Sequence, residues 1–347
     1  MAGASGFRSL LHLDGAGWRW PVALRAGLAV ALPIAVFALL GHTASGLQAS
    51  VGAFTAIYVA NAPVVERMRV LPVVGFALVL CAAGGAAAAV SDVLTAAGLL
   101  LVAAAASILC YGFRLGPPGP VFFPLVFGAA AHITAPVDGA RLVDPVTFVA
   151  LFAGGCALAY LLAISPIVLP RARRAPAKTL RQRFAGPSFA EPVRTLILRS
   201  VSVAVLGAAA SFVVDTERAY WIVCAGLAIV AGGSGRQLTL TRGLHRVVGT
   251  LAGAFLYLAV AGLSPAGLWL AVVLGVLQFA VEIFVVRNYA LALLFITPLV
   301  LIITGSAAGP NANPVGYAAE RVLDTVVGAA LAVLVTLLWH EHRRPES

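Results

Sequence analysis

The sequence predicts an all-α polytopic membrane protein, and its composition and apolar runs carry that prediction. The chain of 347 residues is 61% hydrophobic and only 10% charged, whereas soluble globular proteins carry about 25% charged residues. Apolar runs close to the ~20 residues that a membrane-spanning helix needs recur along the whole chain. The alternating segments of ~10 residues that are typical of a β-barrel do not occur.

About ten to twelve transmembrane helices are expected, because two of the candidate runs, 46–63 and 219–234, are short and interrupted by glycines. The candidate spans begin near residues 20, 46, 70, 95, 118 and 144, and then near 197, 219, 246, 265, 288 and 321.

Basic residues assign the orientation of these spans. Arg67, Arg69 and Arg114 lie in loops on the same side as the termini, whereas Asp92 and Glu320 lie on the other side. The positive-inside rule therefore places both termini in the cytoplasm. The expected location of the protein is the inner or plasma membrane of a cell. The formal net charge of +10 indicates this topology and contact with an anionic leaflet. Nucleic-acid binding does not explain it, because the basic residues lie at span ends.

A basic stretch with three prolines, RARRAPAKTLRQRFAGPSFAEPVRT, divides the chain and is too polar to enter the membrane. We interpret it as a cytoplasmic linker that sets topology. The predicted division is a cytoplasmic N-terminal segment over 1–19, a first transmembrane repeat over 20–170, the linker over 171–195, a second transmembrane repeat over 196–340 and a cytoplasmic tail over 341–347.

The two halves match each other in order, which predicts an internal repeat. Each half holds an even number of spans, so the repeats should be parallel. An offset of 174 residues pairs an arginine, two glycines and a proline, and an offset of 180 pairs an Arg-x-x-Asp motif. The pairs are Arg25 with Arg199, Gly52 with Gly226, Gly75 with Gly249, Pro124 with Pro298, Arg141 with Arg321, and Asp144 with Asp324.

Pro124 and Pro298 are predicted helix breaks at the same place in each half. Proline removes a backbone donor and frees a carbonyl one turn earlier, and in lipid such groups need protein or water as partners. Paired interruptions of this kind indicate the central site of a transporter. The alternative interpretation is a simple packing kink.

Glu282 is the carboxylate that topology does not explain. Its burial costs several kcal/mol unless it is protonated or paired. Arg287 lies five residues on, roughly 140° around a helix, so the two do not form an intrahelical pair. Glu282 therefore needs a partner on another helix or a water-filled cavity. We predict a proton-carrying role, against the alternatives of a static interhelical hydrogen bond or a snorkelling side chain.

Arg287, Asn288 and Tyr289 lie at a cytoplasmic membrane boundary, where Arg and Tyr are ordinary anchors. Arg also binds carboxylates through paired hydrogen bonds, and Tyr can stack on an aromatic ring, so a substrate site is the second interpretation. The motifs at 141–144 and 321–324 are i,i+3 pairs at predicted outer helix starts. They either fix the helix end or form a gate or anion site.

Motifs for other chemistry do not occur in the sequence. No P-loop, GxSxG or zinc-protease motif is present, so we expect neither an enzyme nor a cofactor. The four cysteines all fall inside apolar runs, which predicts core residues and not disulfides or metal ligands. They are Cys81, Cys110, Cys156 and Cys224.

Three stretches of the second half resemble the FUSC-like family, the fusaric acid resistance or aromatic acid exporter type of membrane transporter. They are YWIVCAGLAIVAGGSGRQLTLTRGLHRVVGTLAGA, RNYALALLFITPLVLI and ERVLDTVVGAALAVLV, which follow in the family's order across residues 220–336. The motif positions that carry over are Arg246, Gly249, Thr250, Arg287, Asn288, Tyr289, Thr297, Pro298, Arg321, Asp324 and Gly328.

The resemblance implies a permease that exports aromatic carboxylic acids or related organic anions, driven by the proton gradient. Its expected partners are the lipid bilayer, protons and a small organic anion. The anion would meet Arg246, Arg287, Asn288, Tyr289 or Thr297. Many members of the family insert a large soluble domain between the two halves, and here only the 171–195 linker remains. That departure leaves open a homodimer.

Two other functions fit the same sequence. The first is an organic-anion channel on the same scaffold, which would conduct without proton coupling and tolerate Glu282→Gln. The second is a non-transporting membrane assembly protein, in which the basic linker recruits a partner.

Overall fold

A computed structural model describes residues 9–10, 12–13, 15, 17, 19–137, 140–141, 143–214, 218–305 and 313–339. In these ranges the regular structure is helical apart from one antiparallel pair of two-residue strands, β1 (Pro136–Val137) and β2 (Ala140–Arg141). The predicted all-α class is therefore confirmed. The tail predicted over 341–347 and much of the 1–19 segment lie outside the described residues.

In the described residues each half contains six apolar helical segments. The second segment of the first half is a short α-helix followed directly by a 3-10 helix over Val51–Ile57. The first half holds α1 (Trp20–Leu39), α2 (Thr43–Ser50), α3 (Val64–Ala88), α4 (Asp92–Gly112), α5 (Phe122–Thr134) and α6 (Pro145–Ile164). Two short helices follow, α7 (Pro170–Arg173) and α8 (Leu180–Arg183). The second half holds α9 (Val193–Val214), α10 (Ala219–Val230), α11 (Arg236–Gly262), α12 (Gly267–Phe284), α13 (Tyr289–Gly305) and α14 (Pro314–Leu338).

Eight of the described helices are long and apolar enough to cross a membrane, namely α1, α3, α4, α6, α9, α11, α12 and α14. The chain is thus a multi-pass membrane protein. Three shorter apolar helices, α5, α10 and α13, together with α2 and its 3-10 extension, occupy the positions of the remaining predicted spans.

The starts of α11 and α14 precede the predicted starts by the widest margins. α11 starts at Arg236 rather than near 246, because its first turns are polar and hydropathy does not register them. α14 starts at Pro314 rather than near 321. Asn313 caps this start by accepting the Val315 N–H at 3.1 Å. Caps of this kind depend on one side chain and not on a hydropathy window.

The helices pack in matching pairs across the two halves. In each half the third helix packs on the fifth and sixth, as α3 does on α5 and α6, and as α11 does on α13 and α14. Between the halves, α1 packs on α12 and α4 packs on α9. These matched pairs agree with the predicted repeat, which itself stays a prediction.

Small residues allow close helix packing in the second half, as predicted. A Cβ added at Gly249 would lie 2.5 Å from the Ala290 carbonyl oxygen, and one at Gly328 would lie 2.5 Å from the Ile222 carbonyl oxygen. Helix α11 therefore meets α13, and α10 meets α14, at backbone distance. All four cysteines are free, and three of them are buried.

The linker is folded against the first half of the protein. Glu66, which is buried in α3, lies 3.6 Å from Arg183 of α8 and accepts the Lys178 N–H at 3.4 Å. Arg69 donates to the Lys178 carbonyl at 3.1 Å. The buried carboxylate of Glu66 and the exposed guanidinium of Arg69, both on α3, therefore hold the linker in place.

Candidate functional site

A cavity of about 370 Å³ lies at the end of the helices that is away from the linker. It is formed where α10 and α14 begin and where α5 and α13 end. The residues that line it are His132, Arg218, Tyr220, Trp221, Leu301, Thr304, Asn313, Gly316, Tyr317, Glu320, Arg321 and Asp324. Its volume falls in the range of about 300–1,000 Å³ that is typical of small-molecule sites.

Arg321 is the central cation of this cavity. Only 4% of the residue is exposed, and its Cζ lies 4.0 Å from the centroid of the Trp221 ring. A guanidinium over an indole face is a cation–π contact. The Nε and Nη1 atoms of Arg321 are buried and donate no hydrogen bond to the residues that the structure describes. Arg321 also lines the cavity, so its positive charge acts on whatever the cavity holds.

Asp324 lies three residues after Arg321 and is fully buried. Residues at this spacing share one face of a helix, and both line the cavity. The two charges interact electrostatically. The cavity thus contains a buried carboxylate beside its buried cation.

An ion pair lies at the rim of the cavity. Arg218, next to the start of α10, contacts Glu320 of α14 at 3.2 Å, and the Glu320 side chain remains 46% exposed. Among the residues that the structure describes, the charged ones that line the cavity are two arginines and two carboxylates. The formal charges of these four residues balance.

Aromatic side chains make up much of the remaining wall. The Tyr220 and Trp221 ring centroids are 4.7 Å apart, and those of His132 and Tyr220 are 6.1 Å apart. A planar ring gains from such neighbours through offset or edge-to-face contact. A buried cation and an aromatic wall together suit a ligand that carries a carboxylate on an aromatic ring.

A smaller apolar cavity of about 40 Å³ adjoins this site and shares Trp221 and Thr304 with it. Its lining includes Phe54 and Phe148 of the first half and Val300 of α13. It lies between α5 and α13, the helices that carry Pro124 and Pro298. Both halves of the protein therefore contribute to the walls around Trp221.

The predicted helix breaks differ from each other. Pro124 is the third residue of α5, in the first turn, where proline needs no intrahelical partner; the prediction of a break at Pro124 is therefore wrong. Pro298 lies inside α13, which continues to Gly305 without ending. Thr297 is fully buried and donates to the Leu293 carbonyl at 2.9 Å. It lines neither cavity.

A second polar group lies toward the linker side and joins two predicted residues. Arg246 donates from Nη1 to the Tyr289 hydroxyl at 2.6 Å. Arg242 was not predicted as a site residue. Its Cζ lies 4.2 Å from the Tyr289 ring centroid. Arg246 and Arg321 both act electrostatically on the buried Cys224, so the two polar groups are close enough to influence one another.

Asn288 contacts the N-terminal segment that contains Ser9 and His12. Its amide nitrogen donates to the Leu10 carbonyl at 2.7 Å and to the His12 carbonyl at 3.0 Å, while its Oδ1 accepts the Leu291 N–H at 3.1 Å. Asn288 therefore joins this segment to the start of α13. Its neighbour Arg287 is half-buried and lines neither cavity.

Glu282 has a partner on its own helix. Gln278 donates from Nε2 to its Oε1 at 3.3 Å, and the residue is only 2% exposed. Arg19, just before α1, lies within electrostatic range. Glu282 thus lies where α12 packs on α1, and neither cavity includes it.

The two Arg-x-x-Asp motifs occupy unlike positions. Asp144 is the N-cap of α6 and accepts the Thr147 N–H at 2.8 Å, which lowers the pKa of its carboxyl. Arg141 is exposed in β2. Arg321 and Asp324 lie about two and three turns inside α14. The prediction that both pairs mark helix starts is therefore wrong for the second pair, because α14 begins at Pro314.

The comparisons concern the half of the chain that contains the cavity. Residues 204–335 match the family model described as fusaric acid resistance protein-like. The predicted resemblance is confirmed over that range, which includes Arg218, Tyr220, Trp221, Arg321 and Asp324. His132 lies outside it.

One curated relative is described as "Uncharacterized membrane protein YvaC" from Bacillus subtilis (strain 168). It is 37% identical over 123 residues, which are 35% of this chain and 19% of the relative. The match thus spans about a fifth of the relative's length. No solved structure matches the chain.

The sequence did not predict the aromatic wall or the rim pair. Trp221 and Tyr220 follow Arg218 at the start of a short apolar run, which is also typical of interfacial anchors. The signal that could have identified them is the likeness of this Trp-led span to the family's own.

Proposed function

We propose that this membrane protein transports organic anions that carry a carboxylate on an aromatic ring, and that the 370 Å³ cavity is their binding site. The observation that carries the proposal is Arg321, a buried cation that lines the cavity and lies over the Trp221 ring. The function is transport and not catalysis. Cytoplasmic termini and outward export are part of the proposal, and they follow from the charge distribution and the family likeness.

The chemistry of the cavity supports an anion rather than a cation or a neutral solute. A carboxylate in the cavity would accept a charge-assisted hydrogen bond from the Arg321 guanidinium. Its ring would lie against Trp221 and Tyr220 and would exclude water from the ion pair, which strengthens that pair. An aliphatic carboxylate would keep the contact with Arg321 and lose the ring contacts with Trp221 and Tyr220.

The Arg246–Tyr289–Arg242 group supports a further polar position on the route toward the linker side. It combines a cation hydrogen-bonded to a phenol with a second cation stacked on the same ring. We propose that an anion leaving Arg321 next meets Arg246.

The test is flux of radiolabelled benzoate into vesicles that contain the purified protein, at pH 8. Benzoic acid also crosses lipid unaided, so flux into protein-free vesicles is subtracted. The proposal predicts saturable flux that unlabelled benzoate inhibits more strongly than cyclohexanecarboxylate does. Wild-type flux no faster than that of protein-free vesicles would overturn it.

The channel alternative makes a different prediction in the same vesicles. Current carried by benzoate that rises linearly with its concentration would favour a channel, whereas saturation favours a carrier. The assembly-protein alternative predicts that deleting residues 172–190 abolishes function in cells while the purified protein stays folded.

A further inference from the structure

The cavity contains one carboxylate that is withdrawn from water. Asp324 is 0% exposed, while the Glu320 side chain is 46% exposed and engages Arg218 at the rim. Asp324 also lies on the same face of α14 as Arg321, the buried cation of the cavity. Because Asp324 is withdrawn from water, its protein neighbours and not the solvent determine whether its carboxyl group is ionised.

Charge balance in the cavity changes when an anion enters. Of the residues that the structure describes, two arginines and two carboxylates line it, so a bound carboxylate would add a negative charge that these four groups do not offset. Burying an uncompensated charge is costly, and groups in such places change protonation state instead. One proton taken up from water through the cavity restores the balance.

The titratable and charged groups that face Asp324 come from four helices. They are Arg321, Glu320 and Tyr317 on α14, Arg218 and Tyr220 at the start of α10, His132 on α5, and Arg246 on α11 through its effect on Arg321. His132 is the other group in the cavity that could take up a proton near neutral pH. The experiment must therefore distinguish it from Asp324.

We propose that Asp324 is the proton-binding group of this anion site and competes with the substrate for Arg321, an inference that rests on the proposed function. A proton on Asp324 neutralises the carboxylate, and the guanidinium of Arg321 then pairs with the substrate carboxylate. When Asp324 is ionised, its negative charge offsets the positive charge of Arg321. The substrate carboxylate then binds weakly. Proton and anion therefore bind together.

The sign of this linkage has a consequence for transport. Acid tightens substrate binding, and the dissociation constant rises by up to about tenfold per pH unit once Asp324 is ionised. A carrier with this linkage moves proton and anion in the same direction. Export would then be driven by accumulation of the aromatic acid inside the cell.

The experiment is calorimetry of benzoate binding to the detergent-solubilised protein between pH 5.5 and 8.5. For the wild type we expect affinity to fall as pH rises, with about one proton taken up per benzoate when buffers of different ionisation heat are compared. Asp324→Asn should bind benzoate tightly and without pH dependence. Asp144→Asn, altered at the exposed N-cap of α6, should keep the wild-type pH profile.

Other outcomes distinguish a failure of the role of Asp324 from a failure of the proposed function. Benzoate binding by the wild type with no pH dependence and no proton uptake would overturn the role of Asp324 and leave the proposed function standing. Loss of the pH dependence in His132→Gln or Glu282→Gln, but not in Asp324→Asn, would assign the proton to that residue instead. Absence of benzoate binding by the wild type at every pH would overturn the proposed function. If Asp324→Asn does not fold, the other two variants decide: a pH dependence kept in both His132→Gln and Glu282→Gln, with wild-type proton uptake, supports Asp324, and its loss in either one overturns the role of Asp324.

Discussion

Replacing Arg321 with glutamine removes the guanidinium from the cavity and leaves a side chain of similar reach. In the wild type Arg321 lines the cavity, and a hydrogen bond to a charged group is worth about 1.5–3 kcal/mol. The glutamine amide keeps a donor but loses the positive charge. The net loss is then about 2–3 kcal/mol, which weakens benzoate binding about 30- to 150-fold.

Arg321→Lys is the matched control, because it keeps the charge and loses the planar fork. We expect it to weaken benzoate binding about tenfold, between the wild type and the glutamine variant. Calorimetry with benzoate measures both, and a thermal melt shows whether each variant remains folded beside the buried Asp324. Folded Arg321→Gln that binds benzoate within about threefold of wild type, a difference of less than ~1 kcal/mol, would refute the assignment of the carboxylate to Arg321.

Three further predictions follow from the geometry. Trp221→Leu should reduce the preference for benzoate over cyclohexanecarboxylate about fivefold, as measured by calorimetry, because ring contacts contribute about 1 kcal/mol; an unchanged preference contradicts the aromatic wall. Gly328→Ala should lower stability by about 1–3 kcal/mol in a thermal melt, since the added Cβ would lie 2.5 Å from the Ile222 carbonyl oxygen. Gly154→Ala, with nothing within 4 Å of its Cβ, is its control and should melt as the wild type does; equal losses would contradict the packing argument. Asn288→Asp should release the N-terminal segment while keeping the α13 cap, because a carboxylate still accepts but no longer donates; hydrogen exchange unchanged in that segment would contradict this.

Hydropathy predicted the class of fold, because burial in lipid requires long apolar runs whatever the tertiary contacts are. Ten to twelve spans were expected, and eight of the described helices are long and apolar enough to cross a membrane. Hydropathy did not predict where α11 and α14 begin. Arg236 opens α11 with polar turns, and Asn313 with Pro314 opens α14 through a cap. Both starts depend on single side chains and not on average hydrophobicity.

The candidate site was predicted only in part. Arg321 and Asp324 were singled out as a pair, and in the structure both line the cavity from inside α14 and not from its start. Trp221 is a hundred residues away from Arg321 in the chain, and their contact exists because Gly226 and Gly328 let α10 and α14 approach closely. Periodicity within one helix contains no information about that approach.

Glu282 shows the opposite outcome. Its burial was predicted correctly, since a lone carboxylate in an apolar run stands out by composition. Its neighbours were not, because Gln278 is an ordinary residue one turn earlier and Arg19 precedes a different helix. The proton-carrying role of Glu282 and the homodimer both stay predictions.

The central claim is that an aromatic carboxylate binds between Trp221 and Arg321. Its most direct test is the structure of the protein with 4-bromobenzoate, located by the anomalous scattering of bromine. The account predicts one strong peak inside the cavity, with the carboxylate against Arg321 and the ring against Trp221. A peak beside Arg246 and Tyr289 with an empty cavity, or no ordered peak at saturating ligand, would contradict it.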